Sequence, residues 1–259
     1  MTANLTEFYG HDTDEDTRLT RSAHGKLEFL RTQELVRRAL NGKALRVLDV
    51  GGGTGVHARW LAADGHSVHV VDPVPRHVEV AAGIPGVTAE LGDARALTWP
   101  DASADVVLLF GPLYHLVEAE DRTLALAEAL RVLRPGGLLC AAAISRYLSL
   151  LEVSTTGRLD ARMDGAVGEV IGTGKYDGHV GFVPAHFHTA AELGGEVRTA
   201  GVRDVEVFGV EGPAWAALDV AGAAIRDEHL ESALQCARLV ERDSHMINAS
   251  AHLLAVGKA

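Results

Sequence analysis

The fold class follows from one short segment of the chain, Val47-Leu48-Asp49-Val50-Gly51-Gly52-Gly53-Thr54-Gly55. An apolar run ends in a series of glycines. Ala58, Leu61 and Ala62 then follow at helical spacing, and Gly65 stands where a helix would stop. This order predicts a strand over 46–50, a tight loop, and a helix that ends at a left-handed glycine. A loop between such a strand and helix is where open α/β sheets usually bind their ligands.

The spacing of the glycines narrows the class of ligand. A dinucleotide-binding loop needs a third glycine at the position of Val56, and no Gly-Lys-Ser/Thr follows that would make a phosphate-binding loop. The glycines allow a ligand to approach the backbone amides without a side chain in the way. Asp49 precedes the loop. Its carboxylate would repel an anion, but it would attract a ligand that carries an ammonium or sulfonium group.

Two more carboxylates stand at the ends of later predicted strands. Asp72 ends a strand predicted over 67–72, about 20 residues after the first glycine, where a carboxylate can accept two hydrogen bonds from ribose hydroxyls. Asp93 follows a strand predicted over 87–91. It can accept a hydrogen bond from an adenine amino group while the next amide faces the ring. Because the carboxyl ends of parallel strands meet at one edge of a sheet, these acids predict a nucleoside-binding crevice.

The rest of the chain alternates short Val- and Leu-rich runs with helical segments. This pattern predicts an α/β fold with a mostly parallel sheet and helices on both faces. Further strands are expected over 105–110, 138–144, 205–210 and 252–256, the last of them pairing at the sheet edge. One helix is predicted to end before the Arg-Pro-Gly-Gly turn at 134–137 and another to cover 227–241. Thr189 and Glu192 have the spacing of a capping box at the start of a further helix.

Composition excludes several classes of protein. The 259 residues, 47% of them hydrophobic, suit a single domain over 1–259 with one sizeable core. With 24 Lys and Arg against 35 Asp and Glu, the net charge is −11, which disfavours nucleic acid and anionic membranes as partners. Two cysteines do not make a disulfide framework, and no apolar signal region or membrane-length run is visible. We therefore expect a cytoplasmic protein, a monomer or a homodimer.

At this point the sequence resembles the class I S-adenosylmethionine-dependent methyltransferases. The likeness is closest over 46–144 and is carried by DVGGGTG, VVDP, LGDA, ADVVLLFGPLYHL and RVLRPGGLL. It implies a Rossmann-like sheet of seven strands with the last antiparallel, S-adenosylmethionine as cofactor, and a small-molecule acceptor. It also implies a set of cofactor-binding residues along the strand ends: Asp49, Gly51, Gly53, Gly55, Asp72, Pro73, Asp93, Ala94 and Phe110.

Methyl transfer from a sulfonium is an in-line displacement with an activated donor, so alignment supplies most of the acceleration and a strong base is optional. For a hydroxyl acceptor His115, which follows the fourth strand, is the candidate catalytic base, because an unperturbed imidazole pKa of about 6.5 suits that role. We expect methylation of a hydroxyl or carboxylate oxygen of a small molecule. Nitrogen, carbon or sulfur acceptors stay open, as does a non-catalytic nucleoside-binding regulator. An NAD-dependent oxidoreductase is disfavoured by Val56.

Two stretches break the regular pattern, and we predict that they form a lid over the acceptor. They are a charged, partly helical leader over 1–40 and a Gly-rich, irregular insertion over 145–188, after the fifth strand. Candidate acceptor-binding residues lie in these stretches and after the fourth strand: Arg18, Arg21, Tyr114, Arg146, Tyr147, His186 and His188.

Spacing suggests how some of these candidates would act. Arg18 and Arg21 are one helical turn apart and could clamp an anionic acceptor, although a solvated charged face is the alternative. His186 and His188 point the same way if their segment is extended. No third ligand has matching spacing, so no metal is predicted.

Overall fold

A seven-stranded mixed sheet forms the centre of the protein. The computed structural model describes residues 6, 8–9, 15–42, 44–179, 181–221 and 227–259. Parallel strands β1 to β5 are joined by one antiparallel strand, β9, that pairs with both β5 and β8, in the order β3-β2-β1-β4-β5-β9-β8. The strands of this sheet are β1 (Arg46–Val50), β2 (Ser67–Asp72), β3 (Val87–Leu91), β4 (Ala104–Leu109), β5 (Leu133–Ile144), β8 (Arg203–Gly209) and β9 (His252–Lys258). The predicted fold class is confirmed.

The placement of the last strand differs from the sequence prediction. β9 lies between β5 and β8, so the edge strand on that side is β8. Leu253 and Leu254 of β9 are fully buried on opposite faces of the sheet, one in each of its two main apolar clusters. A strand that is apolar on both faces is more stable inside a sheet than at its edge. β5 also begins earlier than predicted, because the backbone of Gly136 and Gly137 pairs with Ala259.

Helices cover both faces of the sheet. One face is packed by Leu126 of α6 and Leu193 of α9, and the other by Leu35 of α2 and Leu61 of α3. The helices of the part of the chain before the insertion are α1 (Glu15–Arg21), α2 (Ala23–Ala39), α3 (Val56–Ala63), α4 (Pro75–Ala82), α5 (Pro112–His115) and α6 (Ala119–Val132). Those that follow are α7 (Leu148–Thr156), α8 (Ala161–Thr173), α9 (Ala190–Thr199), α10 (Trp215–Ala221) and α11 (Asp227–Val240). None of the helices in the described ranges is both long and apolar enough to cross a bilayer.

The two irregular stretches are more regular than the sequence suggested. The insertion contains α7, α8 and a small antiparallel pair, β6 (Lys175–Tyr176) and β7 (Ala185–His186), so the expectation of an irregular segment is wrong for much of it. Buried apolar residues at helical spacing, such as Val167 and Val170, explain α8. In the leader, α2 belongs to the helix layer of the core, since Leu35 and Val36 pack on the sheet.

The predicted capping box at the start of α9 is present. The Thr189 side chain accepts a hydrogen bond from the backbone amide of Glu192, and the Glu192 carboxylate accepts one from the amide of Thr189. We expect Thr189→Ala to lower the free energy of unfolding by about 1 kcal/mol, because a helix-terminal amide loses its partner. Urea denaturation measures this. Thr123→Ala in the middle of α6, where the exposed hydroxyl only bonds its own helix backbone, is the matched control and should be close to neutral.

Candidate active site

Two cavities open on either side of the glycine loop at the carboxyl ends of β1, β2 and β4. The larger, here the Asp72 cavity, has about 890 Å³ of empty space, and the smaller, here the Asp49 cavity, about 770 Å³, in both cases including space that is open to solvent. Gly51, Gly53 and Tyr114 line both cavities, so one extended ligand can occupy the two together across the loop.

Glycine is present at positions 51, 53 and 55 of the loop for different structural reasons. Gly51 has a positive φ of 71°, and a Cβ there would lie 2.8 Å from Pro112. Gly53, with φ of 57°, faces both cavities and has no neighbour closer than 3.9 Å to such a Cβ, so its backbone is open to a ligand. Gly55 lines neither cavity, and a Cβ there would lie 2.7 Å from Ile84 and 3.3 Å from Ala81. Gly55 thus has a packing role, and its implied contact with the cofactor stays a prediction.

Asp49 provides a buried carboxyl group beneath the loop. Its side chain is fully buried and lines the Asp49 cavity, and neither carboxylate oxygen has a hydrogen-bond partner in the described part of the chain. Burial, reinforced by the nearby carboxylate of Asp72, raises the pKa of Asp49 to about 7. An unpaired buried carboxylate is costly unless a cation meets it. The position therefore fits a cationic ligand group.

Asp72 faces the larger cavity but is already engaged by the protein. Its carboxylate accepts hydrogen bonds from the backbone amides of Gly53 and Val74, each at 2.9 Å, and lies 3.0 Å from Nδ1 of His77. A carboxylate offers about four acceptor positions, so one remains for a ligand hydroxyl unless a protein contact gives way. Pro73 and His77 line the same cavity. Asp72 thus also ties β2 to the glycine loop.

Asp93 is paired with a residue that the sequence reading missed. The Arg95 side chain and backbone amide both donate to its carboxylate, with Nη2 at 2.6 Å from Oδ2, and this pairing lowers the pKa of Asp93. Arg95 also donates to Asp121 at the start of α6. Asp93, Ala94 and Arg95 all line the Asp72 cavity. Any adenine contact made by Asp93 must share the carboxylate with Arg95.

Aromatic rings surround His115 at the far end of the Asp72 cavity. Its Nε2 is 3.1 Å from the Tyr9 hydroxyl, and its ring lies 4.6 Å from that of Tyr114 and 5.4 Å from that of Phe182. Nδ1 is buried without a partner in the described ranges. Burial lowers the pKa of His115 to about 4. The expected unperturbed pKa is therefore wrong, and the imidazole is neutral at pH 7 and a weaker base than predicted.

Part of the chain is similar to a known protein family. Residues 47–137, which include the glycine loop and the ends of β2, β3 and β4, match the family model of the methyltransferase domain. Over these residues the chain is similar to class I methyltransferases, and it has their fold. The sheet order and the single antiparallel strand are those the resemblance implied. S-adenosylmethionine is the cofactor of this class, and the open glycine loop above the unpaired Asp49 carboxylate fits its positively charged part.

Curated relatives align with this chain over only part of their own length. An uncharacterized methyltransferase of Mycobacterium tuberculosis is 42% identical over 101 residues, covering 39% of this chain and 40% of that protein. The ubiquinone biosynthesis O-methyltransferase of Methylocella silvestris is 33% identical over 142 residues, covering 52% of this chain and 53% of that protein. The chain thus spans about half or less of these curated relatives.

A solved structure is similar over its whole length. It comes from Thermotoga maritima and is described as an S-adenosylmethionine-dependent methyltransferase, possibly a histamine N-methyltransferase. Its TM-score is 0.64 at 20% identity, and the match covers 100% of this chain and 99% of that one. At this identity the likeness shows the fold alone.

Several predicted acceptor-binding residues lie away from both cavities. Arg146 binds the Glu192 carboxylate at 2.6 Å, and the two histidines of the insertion face acids of α9, His186 with Glu192 at 3.0 Å and His188 with Glu196 at 3.3 Å. These contacts form a part-buried charged network with acids of α9, and Arg146, His186 and His188 line neither cavity. Two further candidates do not line the cavities either: Tyr147, the N-cap of α7, and the exposed Arg21.

The remaining acceptor-binding and cofactor-binding candidates line the two cavities. Tyr114 lines both cavities, whereas Phe110 and Arg18 line the Asp49 cavity. Arg18 forms a two-point ion pair with Glu28, at 2.9 and 3.0 Å. Sequence reasoning missed several polar residues that also line the cavities: His77 and Arg95 around Asp72 and Asp93, and Glu28, Thr32, His57 and His252 beside Asp49. Arg95 directly follows the motif that contains Asp93, so it is the one of these residues that the sequence could most easily have indicated. The others come together only through the fold.

Proposed function

We propose that this chain transfers the methyl group of S-adenosylmethionine to a hydroxyl oxygen of a small, ring-bearing acceptor. The observation that carries the proposal is the fully buried, unpartnered Asp49 carboxylate beneath an open glycine loop, between two cavities. A nucleoside with a cationic tail matches both features, since the tail supplies the missing positive charge. When bound, the cofactor supplies an activated methyl group on its sulfonium.

The chain's own residues would divide the binding of the cofactor between the cavities. Asp72, with Pro73 and His77, would hold the ribose, and Asp93 with Ala94 would meet the adenine. Asp49 would neutralise the ammonium or sulfonium charge, and Gly51 and Gly53 would leave their backbone open to it. Arg18 lines the same cavity, but its guanidinium is paired with Glu28 at 2.9 and 3.0 Å, so a carboxylate of the cofactor or acceptor would have to share it.

The aromatic end of the Asp72 cavity is the proposed acceptor site. Tyr9, Tyr114, His115 and Leu116 line it, and flat side chains of this kind favour a planar, largely apolar acceptor. The unpartnered Nδ1 of neutral His115 can accept a hydrogen bond from an acceptor hydroxyl and orient it. The ubiquinone biosynthesis O-methyltransferase among the relatives supports oxygen as the methylated atom.

The leader and the insertion are proposed to cover this acceptor site. Tyr9 comes from residues 1–40 and Phe182 from residues 145–188, and both lie against the ring of His115, at 5.6 and 5.4 Å between ring centroids. Phe8 also contacts Phe182, with 6.1 Å between the rings. Contacts of this kind would exclude water from the acceptor, which supports the lid predicted from the sequence.

Calorimetry and labelled transfer together test the function. The purified chain should bind S-adenosylmethionine and its demethylated product. It should transfer labelled methyl from S-adenosylmethionine to hydroquinones or catechols in a panel that also contains amines and thiols. The absence of binding to either nucleoside contradicts the proposal. Binding without transfer to any compound in the panel or in a cell extract would favour a nucleoside-binding regulator instead, and transfer only to amines or thiols would move the methylated atom.

The pH profile of transfer tests the state of His115. With a pKa near 4 this side chain stays neutral above about pH 5, so kcat/KM should show no limb near pH 6.5 arising from His115. An acid limb should appear as the pH falls toward 4, because protonation removes the acceptor at Nδ1. His115→Gln should lower kcat/KM and abolish that limb. A limb near pH 6.5 that His115→Gln removes would show that the imidazole is not buried as described.

A further inference from the structure

A second group of polar side chains lies at one wall of the Asp49 cavity, in none of the roles above. It consists of His24 and Glu28, one turn apart on α2, with Glu211 after β8 and His252 at the start of β9. We refer to these four residues as the His/Glu cluster. Glu211 is fully buried and Glu28 nearly so. One nitrogen or oxygen from each residue lies within 4.8 Å of every other.

The distances within the His/Glu cluster suit a small metal ion. His252 Nδ1 is 2.5 Å from Glu211 Oε1 and 3.8 Å from Glu28 Oε2, and His24 Nε2 is 3.7 Å from Glu211 Oε1. Four ligands bound tetrahedrally at about 2.1 Å lie about 3.4 Å apart, and these separations fall on both sides of that value. Side-chain adjustments of about 1 Å would therefore complete the geometry.

The surroundings of the cluster resemble the supporting shell of a metal site. His24 Nε2 is buried and has no hydrogen-bond partner in the described ranges, while its other ring nitrogen lies 3.5 Å from the Asp219 carboxylate. A carboxylate on the far nitrogen is the usual way to orient a ligating imidazole. Glu211 Oε2 is held by the Ser250 hydroxyl and the His252 amide, at 2.7 and 2.9 Å, which leaves Oε1 facing the cluster.

Arg18 and the protons of the two imidazoles compete with a metal ion for the cluster. Burial lowers the pKa of His24, but the neighbouring carboxylates of Asp219 and Glu211 outweigh this and raise it to about 10, so a metal ion must displace a proton there. The Arg18 guanidinium takes one position on each oxygen of Glu28. A carboxylate oxygen has two lone pairs, so Glu28 can keep this ion pair and still donate to a metal. Because Glu28 and His252 line the Asp49 cavity, an ion has a path to the cluster from solvent.

We propose that His24, Glu28, Glu211 and His252 bind a divalent first-row transition ion, with Zn²⁺ as the reference. Two imidazoles and two carboxylates without a thiolate suit this class, whereas Mg²⁺ and Ca²⁺ prefer oxygen alone. The ion would tie α2 to the ends of β8 and β9 and so hold the leader against the cavity. The proposal does not depend on methyl transfer. It also departs from the sequence prediction of no metal, which saw no ligand spacing because the four residues come from three separate segments.

Zinc titration of the untagged full chain, after dialysis against a chelator, tests the site. We expect one tightly bound equivalent and a rise in the unfolding temperature with Zn²⁺. His24→Gln and His252→Gln should each lose at least ten-fold in affinity and lose the thermal shift. His186→Gln is the matched control, because His186 belongs to the other His/Glu grouping, with His188 and Glu196, and this variant should bind Zn²⁺ as the wild type does. Arg18→Ala should bind Zn²⁺ more tightly, since it frees both oxygens of Glu28.

If either variant fails to fold, the absorption spectrum of Co²⁺ bound to the wild-type protein still tests the site. Co²⁺ in a four-coordinate site of nitrogen and oxygen should give strong visible absorption that Zn²⁺ displaces. The proposal is overturned if the wild type shows no saturable binding of Zn²⁺. It is equally overturned if His186→Gln alone abolishes binding, or if both cluster variants bind as the wild type does. In each case the His/Glu cluster is a set of ion pairs only.

Discussion

Asp49→Asn should weaken binding of S-adenosylmethionine by about 30- to 150-fold, because a charge-assisted contact is worth about 2–3 kcal/mol. The carboxylate is fully buried and unpartnered in the described ranges, so a bound cation is its natural counter-charge. Calorimetry with the cofactor and its demethylated product distinguishes which positively charged group of the ligand Asp49 contacts. An equal loss for both ligands means that Asp49 meets the ammonium group, and a loss confined to the cofactor means that it meets the sulfonium.

The same substitution should make the ligand-free protein more stable at high pH. The pKa of Asp49 is raised from 3.8 to about 7, so between these values the folded state holds a proton that the unfolded state has released. Stability contributed by this group therefore falls as the pH rises from about 4 to about 7. Asp49→Asn removes that loss, which is at most about 4 kcal/mol above pH 7. Urea denaturation at several pH values should show the advantage of the variant shrinking as the pH falls toward 4.

Asp101→Asn is the matched control for Asp49→Asn. The Asp101 side chain is 78% exposed and forms a surface ion pair with Arg131, so its loss should change stability by less than about 1 kcal/mol and leave cofactor binding unchanged. If Asp49→Asn binds the cofactor as tightly as the wild type does, Asp49 does not face the cationic part of the ligand. The placement of the cofactor across the two cavities would then have to be abandoned.

Asp72→Ala should also weaken cofactor binding strongly. Unlike Asp49→Asn, it should in addition loosen the glycine loop. It removes the acceptor that holds the Gly53 and Val74 amides as well as the proposed ribose contact. We expect affinity for the cofactor and for its demethylated product to fall by the same factor, about 10- to 150-fold, because both carry the same ribose and the one charge-assisted hydrogen bond left to Asp72 is worth about 1.5–3 kcal/mol. Competition binding with both ligands measures this.

Asp72→Asn separates the two roles of Asp72. The amide keeps the side-chain volume and one acceptor oxygen, so more of the loop anchor should survive than in Asp72→Ala. Unfolding experiments should then place its stability between those of the wild type and Asp72→Ala. Since the Asp72 charge helps to raise the pKa of Asp49, both variants should also lower that pKa. Unchanged affinity in Asp72→Ala would show that the ribose binds elsewhere.

Much of the site could be predicted because its residues occupy positions set by local sequence. The strand over 46–50, the glycine loop and the acid at the end of β2 follow from an apolar run, a change to glycine, and spacing along one βαβ unit. Gly55 also has a packing role that spacing does not indicate, since a Cβ there would meet Ile84, which follows α4. Likewise the state of Asp93 depends on Arg95, whose side chain turns back onto it.

The sequence alone determined most strands of the sheet, the glycine loop and the acids at the strand ends, since hydrophobic periodicity and turn residues act over a few neighbouring positions. Only the tertiary structure decided which charges meet. Burial among rings from distant segments sets the neutral state of His115, and the acids of α9 take up the histidines of the insertion. The His/Glu cluster joins side chains from α2, the end of β8 and the start of β9. Such contacts depend on how distant elements pack, and no local pattern carries that information.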